Sequence, residues 1–206
     1  MKSMRLYNAL TLFLLLSVSF LISGSVYAQS GEYVIDPDHS QVIFKVKHLA
    51  ISTVTGSFDL FEGSYKLDTE DMANSSVDTT IVASSINTNK QKRDDHLRSD
   101  EFLDVGKYPN ITFKSKKIIK GDGNKFQIIG DLTIHGVTKE VTLDATYEGY
   151  VASDPWGKER TAFVANGEIN RKDFGMTWNK ALEAGGFVVG DEVRITLEVE
   201  GIRKES

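Results

Sequence analysis

Apolar and polar residues alternate along most of this chain, with the period of two that sends successive strand side chains to opposite faces. Between Val137 and Gly149, Val137, Lys139, Val141, Leu143, Ala145, Tyr147 and Gly149 form a mostly apolar row. The intervening Thr138, Glu140, Thr142, Asp144, Thr146 and Glu148 are all polar, so this segment reads as a strand wet on one face and buried on the other. Val193, Ile195, Leu197 and Val199 form a second row, and Phe126, Ile128, Gly130, Leu132 and Ile134 a third. Ile111 and Phe113 begin another. Nearer the start, Val42, Phe44 and Val46 oppose Lys45 and Lys47, Val54, Gly56, Phe58 and Leu60 continue the pattern, and Val77, Thr79, Ile81 and Ala83 repeat it more weakly. The pattern predicts seven or eight strands.

Turn residues separate the rows: Gly121-Asp122-Gly123-Asn124, His135-Gly136 and the wider Asp154-Pro155-Trp156-Gly157. Short joins of this chemistry make antiparallel neighbours. Two longer interruptions run over about 87–109 and about 170–190. The first opens with Asn87 and Thr88, residue types that cap helices, and carries Leu97, Phe102 and Leu103 on its apolar side; it reads as a short helical cover. Many antiparallel strands with one apolar face pair as a sandwich or close as a barrel, and alternation allows either. Small residues in the inward rows, Ala83, Gly130, Ala145, Gly149, Ala165 and Gly167, leave room between aromatics or mark bulges and tight bends.

Residues 1–28 have the form of a secretory signal peptide: basic Lys2 and Arg5, an apolar stretch from about Leu6 to Ile22, and Val26-Tyr27-Ala28 as a small-residue exit. Asn8, Ser17 and Ser19 interrupt the apolar stretch, whereas a membrane span needs about 20 apolar residues. The expected product is residues 29–206, one exported domain left after cleavage at Ala28, with no transmembrane segment. Loss of Lys2 and Arg5 makes it more acidic than the −5 of the full chain, which argues against nucleic acid as a partner. The chain has no cysteine, which excludes disulfides, a lipid-modified cysteine anchor, thiol catalysis and thiolate metal sites.

Several ordered blocks resemble the YceI-like family of polyisoprenoid-binding proteins. They begin with Ile35-Asp36-Pro37-Asp38-His39-Ser40, Phe44-Lys45-Val46-Lys47-His48-Leu49 and Val54-Thr55-Gly56-Ser57-Phe58. They continue through Ala83–Thr88, Arg93–Ser99, Tyr108–Ser115, Gly130–Lys139 and Asn170–Gly175, so the likeness spans residues 32–202. Phe102-Leu103 stands where an aromatic pair is more usual, a small departure in one loop. The resemblance implies a lipocalin-like antiparallel β-barrel of about eight strands, with a short helical segment in one long loop. It also implies a periplasmic protein enclosing a long isoprenoid such as a polyprenyl phosphate or a quinone tail. It implies no catalytic residues and no cofactor beyond that ligand; association into a homodimer is left open.

Strands of about 12 residues at about 3.3 Å each, tilted by about 40°, make a barrel roughly 30 Å tall, which suits a long hydrocarbon. A five-carbon isoprene unit contributes roughly 3–4 kcal/mol on burial before ordering costs. The residues expected to line the interior are Phe44, Phe58, Ile81, Phe113, Phe126, Leu132, Leu143, Tyr147, Phe163 and Trp178. Affinity then comes from the tail, and discrimination from polar groups at strand ends, for which His39, Arg93, Asp94 and Arg171 are the head-group candidates. The four histidines lack paired metal-ligand spacing, and no metal is expected. There is no Gly-x-Ser-x-Gly elbow and no phosphate loop. Two alternatives are an enzyme acting on an isoprenoid head group through the polar run Arg93, Asp94, Asp95, His96, and a stress-related interaction module displaying the loop Asp154 to Glu159.

Overall fold

The structure is a computed structural model that describes residues 30–182 and 185–205. The expected signal peptide, with its cleavage after Ala28, lies outside the described residues. Eleven strands are present: β1 (Gly31–Ile35), β2 (Gln41–His48), β3 (Ser52–Phe58), β4 (Phe61–Leu67), β5 (Ser76–Val82), β6 (Ile86–Asn87), β7 (Asn110–Lys120), β8 (Lys125–Ile134), β9 (Val137–Val151), β10 (Arg160–Asn170) and β11 (Val189–Arg203). One helix, α1 (Gln91–Arg98), accompanies them.

All strands pair antiparallel, in the order β1-β4-β5-β7-β8-β9-β10-β11, and β11 returns to β1 through Tyr33 opposite Arg203 and Ile35 opposite Gly201. The sheet is therefore an eight-stranded closed barrel, not a sandwich. The other three strands extend bent staves. β2 follows β1 along the same edge of β11, with Gln41 opposite Glu198. β3 joins β4 through a bend at Asp59 and Leu60, and β6 follows β5 through a 3-10 turn at Ala83–Ser85. Beyond β6 the wall is completed by α1 and the segment after it.

The long rows of the sequence appear as β8, β9 and β11. Three strands escape the alternation rule. β10 carries Ala162 and Val164 on its outer side, so its two faces differ little in polarity. β4 has a glycine at one inward position, and β1 is five residues long. The inward row Val54, Gly56, Phe58 stops at the bend: Leu60 is 60% exposed, and Phe61 takes the next inward place. The His135-Gly136 turn is as expected, with both residues at positive φ (52° and 73°).

Helix α1 exists, but Asn87 and Thr88 do not cap it. Its N-cap is Lys90, which makes no side-chain capping bond; Thr88 instead donates its backbone N–H and hydroxyl to the Asp94 carboxylate. The inward glycines, too, make room for neighbours. A Cβ on Gly130 would lie 2.5 Å from the Lys114 carbonyl and 2.6 Å from the Phe113 ring, and one on Gly167 would lie 2.6 Å from Leu143 Cδ2.

Candidate functional site

The barrel encloses an apolar cavity of about 260 Å³, near the lower end of the ~300–1,000 Å³ typical of ligand pockets. It runs from Phe102, Leu103, Ile134 and Met176 at one end to Met72, Ile118 and Ile128 at the other. Alternation produces this wall: each stave turns every second side chain inward, and most of those positions are Val, Ile, Leu or Phe. Of the residues on the wall, Lys66 and Arg171 alone carry formal charge.

Phe44, Phe58, Ile81, Phe113, Phe126, Leu132, Leu143 and Phe163 all lie on this wall, as the rows predicted. Tyr147 and Trp178 do not. Tyr147 points inward but sits behind Phe163, ring centroids 5.3 Å apart, within the aromatic layer that fills one end. Trp178 belongs to the long loop between β10 and β11 and packs over the other end, 4.7 Å from the His96 ring and 5.2 Å from that of Phe102.

Packing narrows both ends. At one, the Tyr33 and Tyr65 rings stack at 5.2 Å, Phe163 meets Tyr65 edge-on at 5.4 Å, and the Tyr65 hydroxyl bonds that of Thr161. Gly201 permits this layer, because a Cβ there would collide with the Tyr65 ring. Burial pushes the Tyr65 phenol above its ordinary pKa, and Tyr33 is raised too, first by burial and then by its bond to the Glu159 carboxylate. At the other end Phe102, Leu103, Phe174 and Met176 are buried.

The four head-group candidates fall in three places. Arg93 and Asp94 stand on α1, where Arg93 Nε donates to the Thr88 hydroxyl at 2.7 Å and its Nη2 to the Thr88 carbonyl at 2.9 Å, while buried Asp94 accepts from Thr88. Neither lines the cavity. Arg171 does, with only 3% of its surface exposed, but its donors go to the carbonyls of Gly190, Met176 and Trp178 and to Asp191. Burial lowers its pKa, partly opposed by Asp191. These bonds tie β10 to the loop before β11. His39 lies apart from the other three, in the bend between β1 and β2, and is not on the wall.

An arginine-centred cluster that no local spacing announces sits at that bend. Arg160, from the start of β10, donates to Asp36 at 2.7 Å and also to Asp154 and Glu200, and His39 Nδ1 lies 2.9 Å from Asp36. The three carboxylates hold the Arg160 guanidinium above its ordinary pKa. Burial pushes the Asp36 carboxyl up, but the bonds from Arg160 and His39 outweigh it and leave it below the usual range. Asp36, His39 and Glu200 stand close enough to share a cation, yet the guanidinium already bridges the two carboxylates. The cluster is mechanical: it pins the bend and the β9–β10 loop to β11.

Residues 33–201 match the YceI-like domain family. A UPF0312 protein of Yersinia enterocolitica is 40% identical over 190 residues, covering 91% of this chain and 95% of its own. A UPF0312 protein of Vibrio parahaemolyticus is 38% identical over 181 residues, 86% of this chain and 90% of its own. Among solved structures, the Campylobacter jejuni YceI protein superposes with a TM-score of 0.66 at 38% identity, over 78% of this chain and 91% of its own. Burkholderia cenocepacia BcnA superposes with a TM-score of 0.71 at 26% identity, over 81% and 98%. A polyisoprenoid binding domain from Saccharophagus degradans shares the fold, with a TM-score of 0.63 at 17% identity over 84% of this chain and 98% of its own. With its barrel closed in the same way and nearly its whole described length matched, the chain belongs to the YceI-like family.

Proposed function

We propose that the protein binds a long-chain isoprenoid lipid, a polyprenyl phosphate or a quinone-like molecule, in the barrel interior and serves as a periplasmic carrier or reservoir. The observation that carries this reading is the continuous apolar wall, which runs nearly the length of the barrel with two charged residues on it. A polar substrate would find almost no partners there, whereas each buried methylene contributes about 0.8 kcal/mol. The name of the Saccharophagus degradans neighbour, a polyisoprenoid binding domain, supports the same class of ligand. Binding rather than turnover fits a wall whose polar side chains, among the described residues, are Ser, Thr, Tyr, Gln, Lys and Arg, without a carboxylate or imidazole facing the tail. The periplasmic role rests on residues 1–28.

Organic extraction of protein purified from its native host, followed by mass spectrometry, tests the reading. A prenyl lipid released in near-stoichiometric amount is expected. Protein that is lipid-free when isolated and takes up no prenyl lipid from vesicles would sink it.

A further inference from the structure

Packing narrows both ends of the barrel, and the lining reaches exposed Lys66 and Ser76 beside Met72 at one of them, so a route through that end competes with one through the wall. The wall itself has a gap. β1 pairs with β4 as far as Val34 opposite Ser64, and β2 pairs with β3 from Val42 opposite Phe58 onward. Between these pairs, residues 35–41 of one bent stave and 59–63 of the next share no ladder pairing. Their outer neighbours stay attached: Asp36 N–H donates to the Glu200 carbonyl at 2.8 Å, and Val82 N–H to the Leu60 carbonyl at 2.9 Å. The interruption is therefore confined to one seam between two otherwise paired staves.

Three observations make this seam a passage rather than a defect. The cavity reaches it, because Ser40, Gln41, Val42 and Ile43 all border the cavity although only alternate residues of a strand face inward. Side chains, not backbone bonds, close it from within. Ile35 and Phe61 both stand on the cavity wall beside it, and Gly63 lets the Ile35 side chain lie across the gap, since a Cβ there would be 3.0 Å from Ile35 Cδ1. Its outer rim carries two exposed apolar side chains, Leu60 at 60% and Val34 at 46%, among the polar Asp38, His39, Asp59 and Glu62.

We propose that this lateral seam is the loading slot through which a prenyl chain enters and leaves the barrel from a lipid surface, with Ile35 and Phe61 as the swinging side chains. The assignment rests on the lipid-binding reading and adds a route to it. Side-chain rotation opens such a slot without breaking a ladder, whereas loading past Tyr33 and Tyr65 would require a packed aromatic layer to come apart. Arg160 keeps one margin of the slot fixed by holding Asp36 and Glu200 together.

The chain has no cysteine, so single cysteines can be placed and modified cleanly. Leu60→Cys, which lies off the cavity wall, is reacted with a bulky polyethylene-glycol maleimide. Loading of geranylgeraniol bearing an anthraniloyl fluorophore is then followed from phosphatidylcholine vesicles. Loading is expected to slow by roughly tenfold or more, with occupancy at equilibrium unchanged. The same adduct at Ala73→Cys or Ile51→Cys, at opposite ends of the barrel, is expected to change the rate by less than about twofold. Ile35→Ala, which widens the slot, should act in the opposite sense and speed loading by about threefold. A Leu60 adduct that loads at the unmodified rate, or an end adduct that slows loading as much, overturns the slot. Unmodified protein that takes up no probe overturns the lipid-binding reading itself.

Discussion

The two halves of the barrel wall differ in how they meet the interior. Along β8 and β9, Phe126, Leu132, Ile134, Leu143 and Ala145 are each no more than 7% exposed, and the glycines between them are filled by neighbouring rings and methyls. Along β2, β3 and β11, Val42, Phe44, Phe58, Val193, Ile195 and Leu197 point the same way and border the same cavity, but keep an intermediate exposure. Both halves border the cavity, and the first is covered more closely by its neighbours than the second. Alternation is the same in both, so the pattern that builds a barrel does not by itself decide where it is full.

The difference can be tested from the packed side first. Leu143→Ala should cost about 3–4 kcal/mol in urea unfolding, because it leaves a hole among atoms that cannot relax. A loss below about 1.5 kcal/mol would mean that this half is no tighter than the other. Arg160→Ala, which frees the bend on the open side, should cost about 3 kcal/mol by leaving Asp36 and Asp154 buried without their cation.

The pH dependence of that loss has a definite sign. Burial raises both carboxyls, but hydrogen bonds hold Asp36 and Asp154 below their ordinary 3.8, so their contribution is complete above that pH and is lost as pH falls through the lowered values. His39 is raised above 6.5, chiefly by its bond to Asp36, so its contribution is complete below that pH and fades as pH rises through the raised value. The bend is held best between 3.8 and 6.5. In Arg160→Ala the acid limb of stability should move upward in pH; an unmoved limb would show that Arg160 does not set it.

Smaller effects lie on the open wall. Leu197→Trp should fill part of the cavity and weaken prenyl-lipid binding by about tenfold, or about 1.4 kcal/mol, with unfolding little changed. Leu197→Ala should cost only about 1 kcal/mol, since few atoms press on that side chain from the cavity. If it costs as much as Leu143→Ala, the contrast between the two halves fails.

Strands with one wet face declared themselves in the sequence: β9 and β11 carry Thr, Glu, Asp and Arg outward against Val, Leu and Ile inward. β10 did not, because Ala162 and Val164 face outward, and neither did β4, where Gly63 replaces an apolar side chain. The inward-facing apolar wall was legible for the same reason as the strands, and Tyr147 fell outside it because depth along the barrel, unlike facing, has no period. The polar sites were least legible. Arg93 and Arg171 look like ligands for an anion, and Asp94 like an acceptor for a head group, but all three spend their bonds on local backbone and side chains. Arg160 meets Asp36 from 124 positions away, a contact that no local spacing announces. The carboxylates at Asp36 and Asp154 were visible as residue types, and it was their shared partner that only the closed barrel revealed.

Closure by β11 also bears on how the chain folds. The strand that seals the barrel is the last in sequence, and it must find both β10, its predecessor, and β1, the first strand of the described chain. Tyr33 opposite Arg203 is a contact of very long range, and loops of that length close late because their entropy must be spent before the pairing stabilises anything. Until the final fifteen-residue strand is delivered the sheet has two open edges and no interior. The cavity, and with it any retained lipid, therefore comes into being only when the whole chain is present, and truncation within β11 should yield an open, association-prone sheet in place of a smaller barrel.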